Sequence, residues 1–367
     1  MKVLLLTSDA YGANGGIALY NRDIVEALAA MSEVDEIVVV ARHMPQLTEG
    51  APAKARLIAE SVGGKARFVK AALRASTEGY GLVICGHINL LPVAALINQF
   101  IRAPMVLMVY GIDVWQPPYR LARQWLKAVD AIWSISAITT ERMNQWARLP
   151  TARYIQLPNA IHLDRYAMAP RRADLQARHG LEGARVIMTL ARLPEKERYK
   201  GVDEVLEAMP DLLQDIPNLK YLVAGDGNDR PRLVQKAQSL GLSDRVIFAG
   251  MINEADKADY FRLADAFVMP GRGEGFGFVF LEALACGVPA VGSQLDGSRE
   301  ALRGGELGEL ADPTDLSSVR ACIVRALAKP PGIPPGLSYF DWPHFQNRVT
   351  SAVYLVIASK ARQSMTP

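Results

Sequence analysis

"AFVMPGRGEGFGFVFLEALACGVPAVGS", residues 266–293, decides the fold of this chain. Ala266–Met269 is a short apolar run of strand length, and Pro270–Gly277 is a loop punctuated by proline and glycine. An apolar helix runs from Phe278 to near Gly287, and a second strand follows at Ala290–Gly292. A strand, a glycine loop, a helix and a strand in this order make a βαβ unit, which requires a parallel sheet.

The same grammar recurs along the chain. Strands are predicted at Val3–Leu6, Glu36–Ala41, Leu82–Cys85, Met105–Val109 and Ala131–Ser134, then at Val186–Leu190, Tyr221–Ala224, Val246–Phe248, Ala266–Met269 and Ala290–Gly292. Helix-length segments separate them, so the class is α/β with doubly wound parallel sheets. Ten strands are too many for one core, and 367 residues suffice for two domains. The break falls in "IQLPNAIHLDRYAMAPRRADL", residues 155–175, where a strand-like run ends at Pro158 and a helix begins after Pro170. We therefore expect an N-terminal domain over 1–164, a C-terminal domain over 165–340 and, after the proline-rich "KPPGIPPGLSYFDW", a helix over 341–367 that packs back on the first domain.

Composition narrows the class. Half the residues are hydrophobic and 22% are charged, as in globular proteins. Cys85, Cys286 and Cys322 lie far apart, with neither disulfide nor zinc spacing. "MKVLLLTSDA" is too short in its apolar run for a signal peptide, so a cytoplasmic location is expected. The uncharged stretch Gly79–Ile101 is interrupted by His87, Asn89, Pro92, Asn98 and Gln99 and is read as a buried strand and helix rather than a membrane span. Net charge is only +3, yet residues 42–74 carry seven basic side chains against Glu49 and Glu60. That excess suits either an anionic surface or an ordinary solvated face.

The chain has no Asp-x-Asp pair, no H-E-x-x-H, no G-x-S-x-G and no Walker G-x-x-x-x-G-K-[ST]. Metal-held phosphates, zinc hydrolysis, serine acylation and P-loop chemistry lack their marks, so backbone amides and basic side chains must handle any anion. Gly12, Gly15 and Gly16 lie between the first strand and first helix, where free amides favour a phosphate or where glycines simply turn the chain. Arg192 and Lys200 follow the first strand of the second half and can neutralise a diphosphate, unless they are plain surface cations. Gly225, Asp226 and Gly227 end another strand, as a ligand approach or a turn. In the opening stretch Glu274 projects from the loop and Glu282 lies on the first turns of the helix, both able to accept from sugar hydroxyls. The alternative has Glu274 capping the helix and Glu282 solvated.

Taken together, "GEGFGFVFLEALACGVPAVGS", "LPNAIHLDRY", "ARL…YKG", "VAGDG" and "GGI" resemble the retaining glycosyltransferases of family 4, with their E-x7-E element and GT-B architecture. The resemblance implies two Rossmann-like domains facing a central cleft. It implies a nucleotide-sugar donor, a UDP- or GDP-sugar, and a glycan or lipid-linked acceptor in bacterial polysaccharide or envelope synthesis. By position, Glu282 then holds the donor ribose, and Glu274 holds the donor sugar. The amides of Gly275, Phe276, Gly277 and Phe278 hold sugar and phosphate, Gly15 and Gly16 approach the phosphate, and Gly225–Gly227 with Gly250 and Met251 surround the base. Arg192 and Lys200 stabilise the leaving diphosphate in place of a metal, so neither metal nor cofactor is expected, and no nucleic acid. Retention in this family is discussed as a front-face displacement in which the leaving phosphate takes the acceptor proton.

One departure stands out. In "VYGIDVW", Tyr110 occupies the place of a histidine common in the family, with Asp113 following, and tyrosine cannot carry its positive charge. His87 is the candidate on the acceptor side, against a structural histidine. Arg120, Arg123 and Lys127, with the 42–74 stretch, suit a reversible contact with anionic lipid. The competing reading is a catalytically silent protein that binds nucleotide-sugars; an epimerase or phosphorylase of the same architecture fits the motifs less well.

Overall fold

Thirteen strands are present in the computed structural model, which describes residues 1–12, 15–43 and 50–365. Ala13 and Asn14 of the first glycine loop, residues 44–49 of the basic stretch and the last two residues lie outside the described residues. The first seven strands are β1 (Lys2–Thr7), β2 (Glu36–Ala41), β3 (Ala55–Leu57), β4 (Leu82–Cys85), β5 (Met105–Val109), β6 (Ala131–Ser134) and β7 (Tyr154–Gln156). They form one sheet in the order β3-β2-β1-β4-β5-β6-β7. The rest are β8 (Arg185–Leu190), β9 (Leu219–Ala224), β10 (Val246–Gly250), β11 (Ala266–Val268), β12 (Ala290–Ser293) and β13 (Glu309–Ala311). They form a second sheet in the order β10-β9-β8-β11-β12-β13.

Every pairing between these strands is parallel. Counted within its own half, each sheet follows the 3-2-1-4-5-6 order of a doubly wound nucleotide-binding fold. The central strands are buried along nearly their whole length because helices cover both faces: "VLLL" within β1, "LVIC" and "MVLMV" read as continuous apolar runs for that reason. The ten predicted strands are all present. The two missed ones, β3 and β13, are sheet edges with mixed, half-exposed side chains, so their sequence carries no apolar run, whereas β7 is the strand-like run that ends at Pro158.

Two compact units result: Met1–Ala160 with Trp342–Pro367, and Ile161–Asp341. Ile161 opens the second unit by donating its amide to the Phe340 carbonyl at 2.7 Å, which closes that unit at both ends. The Trp342–Met365 helix belongs to the first unit, where Phe345 meets Tyr20 edge-on and Lys360 pairs with Asp130 at 2.9 Å. The Gly79–Ile101 stretch contains β4 and the Leu91–Ile101 helix; among the described residues no helix is long and apolar enough to cross a membrane.

Candidate active site

In an open parallel sheet a ligand pocket forms beyond the carboxyl ends of the strands, where the strand order reverses. In the second unit that point lies between β8 and β11, and the loops leaving these two strands carry Lys200 and Glu274. Backbone contact zips the loops together. The Arg272 amide donates to the Tyr199 carbonyl at 2.8 Å, and a Cβ on Gly201, which has φ +88°, would lie 2.7 Å from the Pro270 carbonyl. A Cβ on Gly273 would sit 2.3 Å from the Tyr199 ring. Glycine is required at these positions because another backbone or ring occupies the Cβ place.

Within this frame Lys200 Nζ donates to Glu274 Oε2 at 2.6 Å, both side chains being mostly buried. Burial alone would lower the Lys200 pKa, but the Glu274 carboxylate outweighs it and holds the ammonium above its ordinary value. The capping alternative for Glu274 is thereby replaced by an ion pair. Asp296, buried in the turn after β12, holds the other side of the loop: its carboxylate accepts from the Glu274 amide at 2.9 Å and from the Ser298 amide and hydroxyl. Burial raises Asp296 to about 6. The Gly297 amide in turn donates to the Glu274 carbonyl at 2.7 Å.

Phe276 anchors the loop from inside, buried and edge-on to Phe340 with ring centroids 5.5 Å apart. Gly277, at φ +95°, then starts the Phe278–Ala285 helix with no side-chain cap and no acidic residue in its first turn. Among the described residues nothing accepts from the amides of Gly275, Phe276, Gly277 or Phe278. This is a patch of free donors at a helix N-terminus, suited to an anion or to hydroxyl oxygens.

Glu282 is only 4% exposed, which removes the solvated reading. Its Oε1 accepts from the Tyr166 hydroxyl at 2.7 Å and from Lys257 Nζ at 2.6 Å. Burial raises its pKa, and Lys257 opposes that shift. Arg192 stands apart: its side chain is 79% exposed and pairs with Glu197 at 2.7 Å, although it lines one hollow with Lys200. Gly225 and Gly227 have internal reasons to be glycine. Their Cβ atoms would lie 1.8 Å from the Ala191 carbonyl oxygen and 2.1 Å from that of Leu193. Asp226 accepts from the Gly227 amide at 2.8 Å, and Met251 is 83% exposed beyond β10.

In the first unit the order reverses between β1 and β4. Gly15 is the uncapped N-cap of the Gly16–Ala30 helix after β1, and His87 follows β4. The Tyr110 hydroxyl is buried, and its single proton is shared between Asn21 Oδ1 at 2.6 Å and the Gly86 carbonyl at 2.8 Å. A buried phenol must find a partner, and these two consume it. His87 Nδ1 accepts from the Asn89 amide at 3.0 Å, and burial, with Arg42 adding to it, lowers the ring's pKa. Asp113 caps its own turn, accepting from the Tyr110 amide at 3.0 Å through Oδ1, while Oδ2 is buried with no partner among the described residues. Burial raises it to about 7.

Asp296, Tyr166, Lys257 and Asn21 escaped the sequence reading. Only Asp296 had a signal, the turn-forming "DGS" at 296–298, which reads as a turn and not as a brace.

These two sheets and their order define a GT-B architecture. Residues 172–332, less than half the chain, match the family model described as glycosyl transferases group 1. The chain is similar to a GDP-mannose-dependent alpha-(1-6)-phosphatidylinositol monomannoside mannosyltransferase of Mycolicibacterium smegmatis, 31% identical over 238 residues, 62% of this chain and 61% of that one. It is also similar to a phosphatidyl-myo-inositol mannosyltransferase of Mycobacterium tuberculosis, 35% identical over 167 residues, 45% of this chain and 42% of the relative. The chain thus spans about three-fifths or less of the curated relatives it matches. Among solved structures, Anabaena HepE in complex with UDP superposes with a TM-score of 0.78 at 21% identity, covering 96% of this chain and all of that one. Sucrose-phosphate synthase of Thermosynechococcus elongatus gives 0.69 at 20% identity, over 99% and 98%.

Proposed function

We propose that this chain is a retaining, metal-independent glycosyltransferase that moves a hexosyl unit from a UDP- or GDP-sugar to a glycan or lipid-linked acceptor in bacterial envelope or polysaccharide synthesis. The observation that carries the reading is the Lys200–Glu274 pair at the switch point of the second sheet, beside four free amides. An ammonium has three protons, and one serves Glu274; the others are available to a departing diphosphate. Positive charge placed where negative charge develops lowers the barrier most in a site shielded from water. Arg192 adds a second cation at small cost, because an exposed pair such as Arg192–Glu197 is worth about 0–1 kcal/mol. Glu274 and Glu282 accept from hydroxyls of the sugar and the ribose respectively. The relatives' names, a GDP-mannose-dependent enzyme among them, support this donor class.

A peripheral membrane contact belongs to the same proposal. The Lys65–Ala75, Leu91–Ile101 and Arg120–Trp125 helices with their flanks expose Lys65, Arg67, Lys70, Arg74, Arg102, Arg120, Arg123 and Lys127 beside Leu96, Phe100 and Leu121. Phe100 is 68% exposed. Basic residues around exposed apolar ones suit an anionic lipid surface. Vesicles containing phosphatidylglycerol should sediment the protein and neutral vesicles should not.

The silent-binder reading has one observation in its favour, the consumption of the Tyr110 hydroxyl inside the first unit. Thermal shifts with UDP, GDP, ADP and their sugars, each with magnesium and with EDTA, test donor binding and its independence of metal. Transfer or donor hydrolysis that disappears in Glu274→Ala supports the enzyme. Donor binding without turnover in the wild type supports the binder, and an inverted anomeric proton signal in the product overturns retention.

A further inference from the structure

Glu282 is held asymmetrically. Three separate parts of the second unit meet at its carboxylate, two of them donating to one oxygen. Tyr166 comes from the segment that opens the unit, Lys257 starts the Lys257–Arg262 helix beyond β10, and Glu282 itself sits on the helix beyond β11. Tyr166 and Lys257 both donate to Oε1, at 2.7 and 2.6 Å, while Oε2 is buried and has no partner among the described residues. Lys257 is itself nearly buried, and its other acidic neighbour, Glu254, is farther away at 3.5 Å.

A purely structural ion pair would be expected to satisfy both oxygens, since a bare buried carboxylate oxygen is costly. Here both protein donors converge on one oxygen and leave the other bare. We propose that Lys257 and Tyr166 are positioning residues that fix Glu282 by Oε1, so that Oε2 is presented to the vicinal diol of a ribonucleotide and the triad selects ribo- over deoxyribonucleoside diphosphates. This rests on the reading of Glu282 as the ribose-binding group. An ionised carboxylate accepts from hydroxyls, whereas a protonated one must spend a proton as donor. Burial pushes Glu282 toward the protonated form, and the Lys257 ammonium is the group that opposes it.

The test is calorimetric titration of UDP and GDP, and of their 2′-deoxy and 3′-deoxy counterparts, between pH 6 and 9. The proteins are wild type, Lys257→Met, Lys257→Arg and Tyr166→Phe. Wild type should bind the ribonucleotide about tenfold or more tightly than a deoxy analogue, the expected worth of a hydrogen bond to a charged group. Lys257→Met should lose that discrimination near pH 7 and regain it as pH rises and Glu282 ionises. Lys257→Arg should keep it, and Tyr166→Phe, which preserves the packing, should weaken it a few-fold. Deoxynucleotide affinities should stay constant throughout. Discrimination with an unchanged pH profile in both Lys257→Met and Tyr166→Phe overturns the positioning role alone. A wild type that binds ribo- and deoxynucleotides equally overturns the ribose role of Glu282 and this inference with it, and a wild type that binds neither overturns the donor-site proposal as well.

Discussion

Gly297→Ala should slow the reaction although it replaces no residue placed against the donor. Gly297 has ordinary helical dihedrals, φ −69° and ψ −9°, so alanine suffers no backbone strain there. The added Cβ, however, would lie 2.0 Å from the Gly275 carbonyl oxygen, 2.3 Å from its carbon and 2.8 Å from the Glu274 oxygen. Ordinary contact begins at 3.4 Å, so the 274–275 segment must retreat by about 1.4 Å or the 296–298 turn must yield by as much. Either movement stretches the Gly297 amide to Glu274 carbonyl bond and the Glu274 amide to Asp296 bond, which together set the loop. Overpacking of this kind costs about 1–3 kcal/mol of stability. A displacement of about 1 Å at reacting groups costs about 100-fold in rate. The assay is the turnover number for transfer or donor hydrolysis, with thermal melting measured in parallel. Gly332→Ala, where a Cβ meets nothing within 4 Å, is the control and should match wild type in both. A folded Gly297→Ala protein with wild-type turnover would refute the claim that this glycine contact places Glu274.

Lys200→Met should lower turnover by about 10²–10³-fold, the usual loss when one charge-stabilising group is removed, and the melting curve separates this from unfolding. Gly225→Ala combines φ +122° with a Cβ 1.8 Å from the Ala191 oxygen, so it should destabilise the second unit by about 3 kcal/mol or more; a melting temperature within a degree of wild type would contradict the geometry. Asp113 gives a pH test. Its folded value of about 7 lies above the ordinary 3.8, so between those values the native state holds a proton that the unfolded chain has released. Stability therefore falls as pH rises from about 4 to about 7, by about 1.4 kcal/mol per unit at its steepest. Asp113→Asn keeps the acceptor for the Tyr110 amide and should remove its share of this slope, leaving the contribution of Asp296, which ends near pH 6; an unchanged profile would show that Asp113 does not titrate in this window.

The alternation of apolar runs and helix-length segments sufficed for the parallel sheets because central strands are buried on both faces and must be apolar throughout. The edge strands β3 and β13 are three residues long with mixed, half-exposed side chains and left no comparable trace. Glu274, Glu282 and Lys200 were legible because glycine loops and helix starts mark where strands end. Their partners were not: Lys257 and Tyr166 sit 25 and 116 residues from Glu282. No local pattern links them.

Sequence by itself therefore determined the class of fold, the two halves and the loops that hold the candidate site, all of which follow from local periodicity and from glycine and proline. Tertiary structure alone decided which side chains face one another. It turned Glu274 from a possible cap into the partner of Lys200, buried Glu282 with one free oxygen, and committed the Tyr110 hydroxyl to Asn21 and Gly86. The reason is that pairing and burial depend on strand order, which brings the loops after β8 and β11 side by side although β9 and β10 intervene in the chain.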